Sequence, residues 1–335
     1  MRIAIDAMGG DHAPKAPVEG ALLAAAEWSD TTVVLVGDSA LLEPLLQAAG
    51  GKPANVEVRH ASEIVEADDE PVKAVRRKKD SSMVVAGRMV KEREVDAMIS
   101  AGNTGALMTT GLLVVGRIKG IERPALAPML PSLDGQGVLA LDLGANMDAT
   151  AEQLVQYAIM GSIYRSKVHG LKEPRVGLLN VGTEAMKGNE LTKAAYPLLE
   201  QAPVRFVGNV ESRDVLKRPC DVIVCDGFAG NIMLKSLEGA ASVIFSVLKE
   251  EFTRTWYTKL AAATVRKGLG AFRKKMDYNE HGAAPLLGVD GLVLKSHGSS
   301  SAVAIKNAVR QARIAVSEKL VFSISTEISN GSELT

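Results

Sequence analysis

The sequence is poor in the features that usually give a function away. It has two cysteines, Cys220 and Cys225. They flank an apolar run without the spacing of a zinc site or a redox C-x-x-C pair, so reduced thiols in a cytosolic protein are expected. Aromatics make up 4% of the chain. Lysine plus arginine and aspartate plus glutamate both number 39. That balance argues against bulk nucleic-acid binding and requires charge to be read locally. Asp6 interrupts the amino end too early for a secretory leader. No apolar run approaches the ~18–20 residues of a membrane-spanning helix. The Gly-rich dinucleotide and P-loop motifs, the G-x-S-x-G elbow and H-E-x-x-H are all missing. The five histidines are scattered, and no serine or cysteine has an evident histidine partner.

What is present is a repeated strand–turn–helix grammar. Val222, Ile223 and Val224 form a short β-branched run suited to a strand buried on both faces. It stops at Asp226-Gly227. Met233, Leu237, Ala240, Ile244, Leu248 and Phe252 then follow at helical spacing. Gly230 or Asn231 is placed at the N-cap, which would leave backbone N–H groups beside glycines, a setting for phosphate or an oxyanion. Similar units occupy residues 2–26, 95–109, 176–196 and 291–309. In one parallel sheet, all five turns would gather at the carboxyl edge, where open α/β folds bind ligands. Residues 121–137 hold three prolines and two glycines and are placed as a connection.

Two segments carry local charge. Residues 66–80 pass from Asp68 and Asp69 to Arg76, Arg77, Lys78 and Lys79. This polarity suits a helix dipole by itself, and it also suits docking of an acidic partner. Residues 252–276 contain seven lysines and arginines and no acid, together with Trp256, Tyr257 and an apolar set of Val265, Leu269, Phe272 and Met276. A basic amphipathic arm of this kind fits a peripheral membrane contact. A solvated hairpin or a dimer arm fits it too.

Read in order, DAMGGDHAP at 6–14, SAGNTGA at 100–106, LDLGAN at 141–146, NVGTE with KGNELTK at 180–193, DGFAGNIMLKSLEG at 226–239 and GVDGLVLKSHGSS at 288–300 closely resemble the PlsX family of bacterial phosphate acyltransferases of phospholipid synthesis. The resemblance runs from Met1 to about residue 325. It implies a three-layer αβα fold with a largely parallel sheet, of the kind seen in isocitrate and isopropylmalate dehydrogenases and related to phosphotransacetylase. It implies one acyltransferase domain over 1–325, open to a two-lobed division; the residues themselves point to an amphipathic helical arm at 233–276, protruding as a hairpin, and a polar, frayed tail at 326–335. The implied reaction moves a long-chain acyl group from acyl carrier protein to inorganic phosphate, giving acyl phosphate. The implied setting is a cytoplasmic homodimer, peripherally bound to an anionic membrane, whose product passes to a downstream membrane acyltransferase. No organic cofactor, no metal and no nucleic acid is expected.

Such a reaction needs donors for an oxyanion and positive charge for phosphate, and phosphate is itself a nucleophile. Lys187 is therefore assigned to anion neutralisation, and Asn103 and Asn231 to orientation and oxyanion donation. Thr104, Gly230, Ser299 and Ser300 are candidates for phosphate contact, and His297 and Asp226 for proton handling. Asp226 and Asn231 would equally suit the turn itself. Arg76, Arg77, Lys78 and Lys79 are candidates for carrier docking. Trp256, Leu260, Val265, Leu269, Phe272, Lys274 and Lys275 are candidates for membrane contact. The alternatives are a phosphotransacetylase acting on acyl-CoA, an oxidoreductase with an aspartate-bound metal and a nucleotide loop, and a membrane-bound scaffold.

Overall fold

The computed structural model describes residues 1–259, 261, 262, 264, 265, 268 and 283–332. The strand–turn–helix units fold as expected, but into two sheets rather than one. The first sheet holds β1 (Arg2–Asp6), β2 (Thr32–Gly37), β3 (Val56–His60), β4 (Ala97–Ser100), β5 (Ala125–Leu126), β11 (Ala284–Leu287) and β12 (Leu292–Lys295), in the order β3-β2-β1-β4-β12-β11-β5. Its pairings are parallel except where β11 meets β12 and β5. The second sheet holds β6 (Met129–Leu130), β7 (Val138–Leu141), β8 (Arg175–Asn180), β9 (Arg205–Glu211) and β10 (Val222–Val224), in the order β6-β7-β10-β8-β9. It is parallel apart from β6. The chain crosses between sheets in the 121–137 connection, where β5 belongs to one and β6 to the other.

Helices cover both faces of the first sheet, because its strands are apolar on both sides. Ile3, Ile5, Ile99 and Leu294 share one core with Val18 and Ala21 of α1 (Lys15–Glu27) and Ile305 and Ala308 of α9 (Ala302–Ser317). Ala4, Met98 and Val293 face Met83, Val84 and Ala86 of α4 (Ser82–Lys91). The first core continues into the second sheet through Tyr157 and Ala158 of α6 (Ala151–His169) to Leu139, Leu141, Val222 and Val224. The remaining helices are α2 (Ser39–Ala48), α3 (Pro71–Arg77), α5 (Thr104–Thr110, prolonged by a π-turn Gly111–Val115), α7 (Glu190–Gln201), α8 (Gly227–Thr253) and α10 (Leu320–Ser332).

Three expectations change. The frayed tail expected at 326–335 is helical as far as Ser332, because Ile324 and Ile328 sit one turn apart and are both buried. Helix α8 starts at Gly227 with Asp226 as its cap, four residues before Asn231. It is also long and apolar enough, by length and composition, to cross a membrane. Lys235 and Glu238 break its apolar runs and hid this in the sequence. Beyond its first turns α8 leaves the body: its buried residues are Gly227, Gly230 and Met233, while Val243, Ile244 and Val247 are each more than half exposed. Trp256 and Val265 are exposed as well. Leu260, Leu269, Phe272, Lys274 and Lys275 lie outside the described residues.

Candidate active site

The polar turns gather into two groups, one at each carboxyl edge. At the second sheet, the turn after β7 is built on Asp142, whose carboxylate accepts backbone N–H groups from Gly144, Ala145 and Asn146. Burial pushes the Asp142 carboxyl up, and these three donors oppose the shift. The Asn146 carbonyl accepts the Gly227 N–H, and the Asn146 amide donates to Tyr157 Oη at 2.6 Å. A side chain at Gly230 would fall on the Asp142 carbonyl oxygen. Gly230 therefore serves close packing of α8 onto this turn, a plainer duty than the phosphate contact expected of it.

Asp226 caps α8 by accepting the Ala229 N–H at 2.8 Å. Asn231, one turn further, lies against Gly144. Among the described residues no hydrogen bond engages its side-chain amide, which is free to donate. Lys187 lies in the turn after β8, which Asn180 closes by accepting the Val181 N–H and donating to the Lys187 carbonyl. Its side chain is exposed and, among the described residues, has no ion-pair partner. Beside these turns opens a cavity of about 810 Å³ lined by Asn180, Gly188, Asp226, Phe228, Ile232 and Met233, among others. Apolar side chains of α8 form much of its wall. Cys225 also lines it, but burial raises its thiol far above the normal range. That leaves no thiolate for nucleophilic attack at neutral pH.

At the first sheet's edge, the turns after β1, β4 and β12 are packed backbone to backbone. A Cβ on Gly9 would meet Gly102 N, and one on Gly10 would meet Gly298 O. Asp6 is buried and accepts from Ser82 Oγ and Ser100 Oγ, both at 2.6 Å. Asn103 accepts the Ala106 N–H and donates to the carbonyls of Glu66, Ala67 and Asp69. Its amide is thus committed to capping α5 and fastening the 66–70 loop, which leaves no donor for an oxyanion. Thr104 is exposed at the start of α5. His297 Nδ1 faces Ser299 Oγ at 2.7 Å and accepts the Ser299 N–H. Ser300 is buried and donates its N–H to the His297 carbonyl.

The structure thus groups Lys187, Asp226, Gly230 and Asn231 at one edge, and Asn103, Thr104, His297, Ser299 and Ser300 at the other. Arg76 and Arg77 are exposed on α3, which packs on α5. Lys78 is not available for docking. Its ammonium is bound to Asp69 Oδ2 and the Ile64 carbonyl, where it closes the loop. The sequence reading gave no site role to Asp6, Asp142, Asn146 or Lys295. Asp6 and Lys295 had one legible signal, a charged residue as the last position of a buried apolar strand. Among the described residues no group of three His, Cys, Asp or Glu side chains is arranged to hold a metal.

With this geometry in view, similarity to known proteins settles the family. The fatty acid synthesis protein family matches residues 1–322. The phosphate acyltransferase of Brevibacillus brevis is 61% identical over 309 residues, covering 92% of each chain. That of Halalkalibacterium halodurans is 54% identical over 99% of this chain and 98% of its own. The chain belongs to the phosphate acyltransferase family. It is an acyltransferase of fatty acid and lipid synthesis. Among solved structures it resembles a phosphotransacetylase from Streptococcus pyogenes, with TM-score 0.60, 17% identity and coverage of 95% and 94% of the two chains. A branched-chain phosphotransacylase from Enterococcus faecalis V583 follows at TM-score 0.56 and 14% identity, covering 94% and 99%. These likenesses bear out the α/β three-layer fold of the acyltransferase. At such identities they speak to fold alone.

Proposed function

We propose that this enzyme transfers a long-chain fatty acyl group from acyl carrier protein to inorganic phosphate, releasing acyl phosphate and the free carrier thiol. The observation that carries this reading is the largely apolar cavity of about 810 Å³ walled by Asp226 and the first turns of α8, the helix that also carries the unengaged amide of Asn231 against Gly144. An apolar chamber running along α8 suits an alkyl chain, with burial worth ~0.8 kcal/mol per methylene. A phosphate oxygen attacks the thioester carbonyl, a C–O bond forms and the carbonyl oxygen takes negative charge. The Asn231 amide is the donor for that oxygen, and the Lys187 ammonium offsets phosphate charge. The C–S bond then breaks, and the carrier leaves as a thiolate that takes a proton. Asp226, on the cavity wall, is the acceptor for a phosphate proton.

The exposed apolar side of α8 together with Trp256 supports peripheral association of a cytoplasmic enzyme with an anionic membrane, where a downstream membrane acyltransferase takes the product. It equally offers a face to a second copy in a homodimer. The first turns of α8 are built into the second sheet's edge, so a surface-lying contact is favoured over a spanning one.

The test is to mix the protein with palmitoyl carrier protein and phosphate and follow free carrier thiol. Phosphate-dependent release is expected. Release without phosphate, or faster turnover of palmitoyl-CoA than of the carrier thioester, would overturn the donor assignment.

A further inference from the structure

The strand registers place Asp6 beside Ser100 and Ser100 beside Lys295, on the face of the sheet that α4 covers. The row Asp6–Ser100–Lys295 thus crosses three adjacent strands at their carboxyl ends. Lys295 is 9% exposed. Its Nζ donates to the carbonyls of Ala101 and Ser296, the residues that follow β4 and β12. Among the described residues it has no carboxylate in ion-pair contact, and two acceptors leave one of its three N–H groups without a partner. Asp6 does not fill that role. Its oxygens are taken by Ser82, Ser100 and the Met8 N–H, and Ser100 stands between it and the lysine. Next to Lys295, Ser296 Oγ is buried with no hydrogen-bond partner.

Burying an ammonium against two carbonyls alone is a poor structural choice, since leucine or methionine would fill the space without desolvating a charge. Burial holds the Lys295 ammonium down to about 8, and Asp6 and Asp11 pull it upward from a distance. A cation held this way is incomplete without an anion.

We propose that Lys295 is a cation that seats phosphate where the turns after β1, β4 and β12 meet, its unpartnered N–H meeting a phosphate oxygen. The inference rests on phosphate being the acceptor, and it names a cation site apart from Lys187. Binding is therefore read on the full chain without any acyl donor, so that loss of the carrier reaction and loss of the phosphate seat give different results. Equilibrium dialysis with radiolabelled phosphate should show Lys295→Met weaker than wild type by ~10–100-fold, the range for a hydrogen bond to a charged group. Lys295→Arg should recover most of that loss. Radiolabelled sulfate, whose charge is constant from neutral to alkaline pH, should bind the wild type progressively less well as pH rises through about 8. A folded Lys295→Met that binds phosphate like wild type overturns the proposal. Where that variant fails to fold, sulfate binding by wild type that stays flat through the same pH range overturns it instead.

Discussion

The two carboxyl edges are made from the same strand–turn–helix unit, yet one is locked and the other open. At the first, glycine backbones touch, Asp6 is tied to two hydroxyls, and α9 buries Ile305, Ala308, Val309 and Ala312 along its length. At the second, α8 is fixed only through Gly227, Gly230 and Met233, then runs off the body beside an apolar cavity. The contrast lies in the helix that follows the turn. A helix buried along one face from end to end fixes the turn residues and spends their donors on each other. A helix that leaves the core keeps donors such as Asn231 unspent and opens a chamber along its own apolar side. Function follows from which donors are left over.

The largest effect that could break this contrast is on the two asparagines, equivalent in the sequence and opposite in the fold. Asn231→Ala should cut turnover ~10²–10³-fold, the loss typical of one oxyanion donor, with the melting temperature little changed. Lys187→Ala should fall near that range. Asn103→Ala should instead lower stability by ~0.5–2 kcal/mol through the lost helix cap, with turnover of the folded fraction nearly kept. Steady-state kinetics and thermal melts on the same preparations separate the two outcomes. An Asn103 variant that is fully stable and as slow as Asn231→Ala would dissolve the distinction between the edges.

These two residues also show how far the sequence could be read. Strands such as Val222–Val224, the turns and the family were legible because they rest on local apolar periodicity, small residues and motif order. The sheet to which each strand belongs was not, since a strand–turn–helix unit reads the same in either sheet. Only the 121–137 connection hinted at a crossing. The start of α8 was misplaced because Asp226, Gly230 and Asn231 are all acceptable at a cap. The choice is made by the Asn146 carbonyl, which takes the Gly227 N–H from a turn some eighty residues away. Asn103 was misjudged for the same reason, as its acceptors come from the 66–70 loop. Which polar groups remain free is a tertiary property.

A smaller effect is expected on the open side of the comparison, along the exposed part of α8. If this face meets lipid, Val243→Glu and Val247→Glu should each lower binding to anionic vesicles by ~10-fold, as expected from losing the burial of one valine. Added salt should release the wild type, because the charge attraction is screened within ~10 Å at 0.1 M. Cosedimentation measures both. If the variants still sediment but the protein becomes monomeric by light scattering, the face belongs to a second copy of the chain.

The smallest effect concerns Arg76 and Arg77, because it asks whether the locked edge has any part in substrate capture. Both are exposed, and α3, which carries them, packs on α5 beside the turn that Asn103 holds. A rigid edge is a good place to display charge, since a docking surface gains from being preorganised. Exposed pairs are worth only ~0.2–1 kcal/mol each, however. Arg76→Glu and Arg77→Glu should each raise KM for the carrier thioester ~2–5-fold at low salt and leave kcat unchanged, since rim charges act on encounter more than on chemistry. The difference from wild type should shrink at 0.5 M salt, where the Debye length is only a few ångströms (~4 Å). Lys78→Ala should behave otherwise, lowering stability by opening the loop closed through Asp69 and leaving the salt dependence of KM unchanged. A KM at low salt that ignores both arginines would confine carrier recognition to the open edge and leave the locked edge with anion binding alone.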